Sequence, residues 1–146
     1  DRTSRGLGDV YKRQQPILIG DGDVSGGLKA AEGSVDLLYG IGAAPEGVIT
    51  ATAVKAMGGF FEGRLHFLDE SFKERALKML GSDINNLWSA DDLCRSSDSF
   101  FIASGVCSGW IPGVKFDGNK AEVTSKIIFG DSSETQIITN EYILGE

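Results

Sequence analysis

The sequence predicts an α/β domain, a βαβα run followed by a β-rich tail. Three observations carry that reading. Short apolar runs at Ile17–Ile19 and Val35–Ile41 have the look of buried parallel strands. A helical pattern follows each run. From about Ile111 onward, alternating segments surround Asp117-Gly118 and Gly130-Asp131, which are hairpin signals.

Taken in order, Ile17–Ile19 is closed by Gly20 and the acidic turn Asp21-Gly22-Asp23. A helix is expected over Val24–Ala31, ending near Gly33. Val35–Ile41 is the second strand. Pro45 opens the next helix, at the position where its missing N–H does no harm. That helix is expected to reach about Met57, with Ile49, Ala53, Ala56 and Met57 inward and Gly58-Gly59 ending it. Its alanines imply close approach to a sheet. Phe60–Leu68 reads as a third extended segment. Ser71–Leu80 reads as an amphipathic helix with Phe72, Ala76, Met79 and Leu80 inward, Glu74 four residues before Lys78, and Gly81 as its cap. Ser89 and Asp92 form a capping-box pattern, and Ser99–Val106 is a strand. Trp88, Trp110 and the phenylalanines are expected in the core.

Composition narrows the function. The chain has 146 residues, 41% apolar and 24% charged, which suits one folded domain. Fourteen basic against twenty-one acidic residues give a net charge of −7. Such a surface does not displace counterions, so nucleic-acid binding is not expected. No apolar run approaches the ~18–20 residues of a membrane helix, so no membrane role is expected. Cys94 and Cys107 match no disulfide framework or zinc spacing and read as reduced, mostly buried thiols. With His66 as the one histidine, a histidine-rich metal site and a Ser-His-Asp triad are improbable. Chemistry has to come from carboxylates and backbone amides.

Two strand ends offer those groups. Asp21 and Asp23 are two positions apart, which on an extended backbone puts them on one side, roughly 6–7 Å apart. They would repel by ~2–3 kcal/mol at an effective dielectric near 20. A cation or donating hydroxyl groups would relieve this, and Gly22 leaves the backbone open to a ligand. The bland reading makes Asp23 a helix N-cap and Asp21 a turn residue. At the second end, Gly40–Gly47 leaves the backbone bare before a helix N-terminus, a ready anion site. Glu46 lies in that first turn, favoured by the helix dipole or available as an oxygen ligand for Mg²⁺ or Mn²⁺. Adjacent parallel strands would bring both loops to the carboxyl edge of the sheet, where α/β folds bind ligands. Lys29, Lys55 and Arg64 are the candidate basic partners. His66 reads as an interface or partly buried side chain.

The strings ILIGDGDV, VDLLYGIGAAPEGVITATAVKAMGG and EGRL closely resemble the class II fructose-1,6-bisphosphatases. That family includes the bifunctional fructose-1,6-/sedoheptulose-1,7-bisphosphatases of photosynthetic organisms. The likeness is strong over residues 17–66, continues through FFIASGVCSGWIPGVKF, and is thin toward the end. It implies the C-terminal part of a layered α/β sugar-phosphatase fold. It also implies a Mn²⁺- or Mg²⁺-dependent hydrolase that removes the 1-phosphate of a ketose bisphosphate, in gluconeogenesis or the Calvin cycle. By the same resemblance Asp21, Gly22 and Asp23 match substrate-contacting residues, and Glu46 matches a metal-binding glutamate. Ala43 stands where the family has a substrate-contacting glycine, and Ala103–Gly109 stands where it has A-T-G-V-T-D-G. The parent is expected to be a homo-oligomer, and two free thiols are compatible with either the cytoplasm or the chloroplast stroma.

Residues 1–14, rich in Arg and Gly and without periodicity, read as a non-native, adapter-like leader. Residues 15–146 are then expected to be the C-terminal domain of a longer protein. The resemblance places the family's other metal carboxylates in an N-terminal half, so this chain alone is expected to be inactive. The alternatives are a divergent non-catalytic binding or assembly relative and a related inositol or sugar phosphatase.

Overall fold

The computed structural model describes residues 15–145, so the leader assigned to residues 1–14 lies outside the described residues. The first helix, α1, spans Asp23–Ala31. Its N-cap is Gly22, in the left-handed region at φ 84°. A residue with a side chain would be strained there. The second helix, α2 (Ala44–Ala56), starts with Pro45 in its first turn. It stops where Gly58 turns left-handed at φ 70°, with the Gly58 and Gly59 N–H groups donating to the Lys55 and Val54 carbonyls.

These two helices pack on each other. Gly27 of α1 faces Thr50 of α2 so closely that an added Cβ would overlap the threonine methyl. Thr50 is buried and turns its hydroxyl back to the Glu46 carbonyl at 2.7 Å, which leaves only its methyl at the contact. Ala51, Ala53 and Ala56 are fully buried, and Val54 nearly so. This burial reaches around much of α2 because the helix also meets the sheet.

Beyond α2, β1 (Glu62–Gly63) pairs antiparallel with β2 (Trp88–Ser89). Between them lies α3 (Glu70–Leu80), capped by the Asp69 carboxylate, which accepts the Ser71 and Phe72 N–H groups. A 3-10 turn covers Gly81–Asn85. The short α4 (Ala90–Leu93) begins with a complete Ser89–Asp92 capping box. The larger sheet is built on β5 (Lys120–Phe129). On one edge β5 takes β3 (Phe100–Ser104) and β4 (Lys115–Asp117), and on the other β6 (Thr135–Ile143). The β4–β5 turn uses Gly118 at φ 60°, as its Asp-Gly signal predicts. No helix among the described residues is long and apolar enough to cross a membrane.

The structure is mixed helix and sheet, but its strand pairings differ from the expected parallel pattern. All strand pairs among the described residues are antiparallel. Ile17–Ile19 and Val35–Ile41 are extended without being strands, because no described strand lies alongside to take their backbone hydrogen bonds. They nonetheless converge: the Ile19 and Leu38 side chains both lie within 3.3 Å of the point where a Cβ of Gly26 would stand. Of Phe60–Leu68, only Glu62–Gly63 is strand.

Several inward assignments are also corrected. Ile49 is 48% exposed, since α2 turns Thr50, Ala53 and Val54 to its neighbours. Helix α3 buries none of its residues; Phe72 and Met79 are exposed because no described element covers that face. The helix also pairs Lys73 with Glu70, at 3.3 Å, rather than Lys78 with Glu74. Trp88 and Trp110 are half-buried, whereas Phe60, Phe72, Phe100 and Phe116 are exposed. Both cysteines are free, Cys94 half-buried and Cys107 exposed. His66 is exposed.

A polar strut fastens α1 to the sheet. The Trp110 indole N–H donates to Glu32 Oε2 at 2.9 Å, and Lys126 Nζ lies 3.5 Å from the same oxygen and 4.1 Å above the Trp110 ring. Phe101 meets Trp110 edge-on, with centroids 6.5 Å apart. Burial pushes the Glu32 carboxyl up, but hydrogen bonds from Trp110 and Ser34 and the Lys126 charge outweigh it. Its value therefore lies below the ordinary glutamate range.

Gly27→Ala should destabilise the chain by about 1–3 kcal/mol in urea unfolding through overpacking. Thr50→Ser, which removes the opposing methyl, should recover part of that loss. Because Glu32 is lowered in the folded state, its contribution is present above the ordinary carboxylate range of about pH 4.3. It is lost as pH falls through the folded value. Trp110→Phe should make denaturant midpoints less dependent on pH between about 5 and 3.

Candidate functional site

One hollow of about 300 Å³ is lined by Asp21, Gly22, Asp23, Val24, Ala43 and Glu46. Both extended segments run into it: Ile17–Ile19 leads to the Asp21 turn, and Val35–Ile41 to Ala43. The two loops share an edge although no ladder joins the segments, because α1 and α2 pack together and both helices start at the hollow.

The details of the two helix starts matter. Asp23 is not the N-cap; Gly22 is, and the α1 start has no side-chain cap. Asp21 accepts the Gly22 N–H at 2.7 Å, and Ser25 donates to the Gly22 carbonyl at 2.8 Å. Those contacts stiffen the turn and leave Asp23 uncommitted. Among the described residues its carboxylate makes no hydrogen bond or ion pair; it is half-buried, with Oδ2 against the Gly42 backbone. The capping role that would have explained Asp23 without a ligand is therefore absent. At α2, Ala43 is the N-cap in extended geometry and supplies no side-chain acceptor. The Ala44 and Glu46 N–H groups belong to the first turn, which has no intrahelical acceptors.

The hollow's charge is unbalanced. Three carboxylates line it, and no lysine or arginine does. Lys55 is held elsewhere, 2.8 Å from Asp91 and 2.6 Å from the Cys94 carbonyl. Lys29 and Arg64 are exposed and do not line the hollow, so none of the three expected cations serves it. Such a lining accepts hydrogen bonds from hydroxyl groups and attracts cations; an unaccompanied phosphate would be repelled by the carboxylates. Among the described residues no three His, Cys, Asp or Glu side chains gather closely enough to hold a metal ion. The carboxylates present do not, by themselves, fit one.

The model of the family described as bacterial fructose-1,6-bisphosphatase, glpX-encoded, matches residues 13–142. The chain belongs to that family. A relative from Trichodesmium erythraeum, named D-fructose 1,6-bisphosphatase class 2/sedoheptulose 1,7-bisphosphatase, is 34% identical over 88% of this chain and 42% of its own length. One from Haemophilus influenzae, named fructose-1,6-bisphosphatase class 2, is 33% identical over 89% of this chain and 44% of its own. One from Acaryochloris marina, also named as acting on both sugars, is 36% identical over 83% and 39%. The chain thus spans about two-fifths of the length of the relatives it matches.

Sequence reasoning missed two features around the Asp21-Gly22-Asp23 turn. Val24 walls both the hollow and a second cleft of about 340 Å³, which opens between α1 and the Gly105–Ile111 loop. That loop is pinned at its base: the Gly105 N–H donates to the Thr124 carbonyl and the Val114 N–H to the Val106 carbonyl. Its Cys107 faces the second cleft and does not line the hollow.

Asp23→Asn should change the stability of this chain by less than about 0.5 kcal/mol. It forfeits a favourable helix-dipole interaction but relieves repulsion within the hollow. Ser89→Ala, which breaks a complete capping box, should cost about 1 kcal/mol in the same urea titration.

Proposed function

We propose that the whole protein of which this chain is a part hydrolyses the 1-phosphate of fructose 1,6-bisphosphate, and also that of sedoheptulose 1,7-bisphosphate. The observation that carries this reading is the shared hollow: the Asp21-Gly22-Asp23 turn, Ala43 and Glu46 line it together, in a chain of the fructose-bisphosphatase family. The names of the relatives from Trichodesmium erythraeum and Acaryochloris marina support the two-sugar form.

In this reading Asp21 and Asp23 accept hydrogen bonds from sugar hydroxyls, for which an acidic, open lining is suited. Gly22 and Ala43 let the ligand approach the backbone, the methyl of Ala43 narrowing that approach relative to glycine. The first N–H groups of α2 face the phosphorylated end. The family implies a divalent cation, Mn²⁺ or Mg²⁺, with Glu46 as one oxygen ligand. The remaining ligands then belong to the part of the protein that this chain does not span. Ile17, Leu18, Leu37, Tyr39 and Ile41, exposed among the described residues, offer that same part an apolar face to pack on. By itself, the 146-residue chain is inactive.

The test is phosphate release from each bisphosphate with Mn²⁺ present, using the longer protein and this chain in parallel. The longer protein should turn over and the chain should not. Glu46→Ala in the longer protein should lower kcat by more than roughly a hundredfold. Unchanged activity in that variant would remove Glu46 from the metal site and favour a different phosphatase chemistry.

A further inference from the structure

Several glycines crowd the second loop, and they are not equivalent. Gly40 and Gly47 have nothing within 4 Å of where a Cβ would stand. Gly42 has Asp23 there: a Cβ would overlap Oδ2, with the carboxylate carbon at 3.4 Å. Its backbone does not explain the glycine either, since Gly42 is not among the residues at positive φ. An alanine could adopt this conformation without strain. What it could not do is leave room for the carboxylate.

We infer that Gly42 is a positioning residue, whose missing side chain forms the seat that holds the Asp23 carboxylate at the hollow. Two observations make the seat significant. Asp23 has no hydrogen-bond or ion-pair partner among the described residues that would hold it there. Asp23 and Ala43, the neighbour of Gly42, also line the same hollow. The carboxylate is therefore placed by the shape of the opposite loop. A side chain at position 42 would evict it, while Asp21 and Glu46, on other backbone positions, would stay in place. This inference rests on the proposed role of Asp23 in holding the sugar.

The first measurement needs no activity. In the 146-residue chain, Asp23 Hα–Hβ couplings should report one dominant χ1 rotamer, and Gly42→Ala should shift that population. In the longer protein, Gly42→Ala should raise KM for fructose 1,6-bisphosphate about tenfold and change kcat less than about twofold. On an Asp23→Ala background, Gly42→Ala should add no further loss, because the evicted group is already gone. An unchanged Asp23 rotamer, or an undiminished KM penalty on that background, would overturn the inference. Failure of the longer protein to release phosphate from either sugar would count against the proposed function; the rotamer measurement would then decide the positioning claim alone.

Discussion

The close approach of α1 and α2 at Gly27 and Thr50 is the constraint on which the rest of the structure depends. Two helices packed through larger side chains sit 8–10 Å apart, and their ends splay accordingly. Here one helix presents no side chain and the other presents a methyl, its hydroxyl being turned to its own backbone. The helices share the side facing the hollow, so this contact fixes the separation between the turn before α1 and the loop before α2. It also explains why the two loops meet although the segments leading into them share no ladder.

The sheet holds this helical pair from the other side. Ile128 and Thr124 of β5 are buried, and Ile128 lies opposite Phe101 of β3 in the register. Lys126, between them in the same alternation, reaches the Glu32–Trp110 strut. The far end of α1 is thereby tied to the sheet while its near end is left open at Gly22. A helix clamped at its C-terminal end, with its N-terminus in a hollow, holds its first-turn side chains steady without using their polar groups. That division leaves Asp23 available for a ligand.

The helices and the β-rich tail were legible because their signals are local. Pro45, the Gly58-Gly59 stop, the Ser89–Asp92 box and the Asp117-Gly118 turn each act within a few residues, and each is found in place. The hollow was legible because two short strings bracket the helix starts that meet there. The first two strands were not, since a strand is defined by its neighbour and no described segment lies beside Ile17–Ile19 or Val35–Ile41. The same reasoning applies to α3, whose periodic Phe72, Ala76 and Met79 mark a face that meets no described element. Hydrophobic period tells which side of an element seeks cover, not where the cover comes from. Gly42 was hidden for a different reason: in the string it is one small residue among several, and only the position of Asp23 sets it apart.

The charge pattern of the hollow connects the fold to the chemistry. Aspartates placed for stability are usually consumed as caps, as Asp69 and Asp92 are in this chain. Hydrogen bonds from Ser71 and Ser89 hold both of those carboxyls below the ordinary range. The Asp21, Asp23 and Glu46 carboxylates line one hollow without a basic residue among them. Asp21 accepts the Gly22 N–H, and Asp23 and Glu46 lie in helix first turns where the dipole favours a carboxylate, so folding accommodates three acids around one hollow. A polyhydroxylated ligand and a cation each supply what the hollow lacks, donors in one case and positive charge in the other.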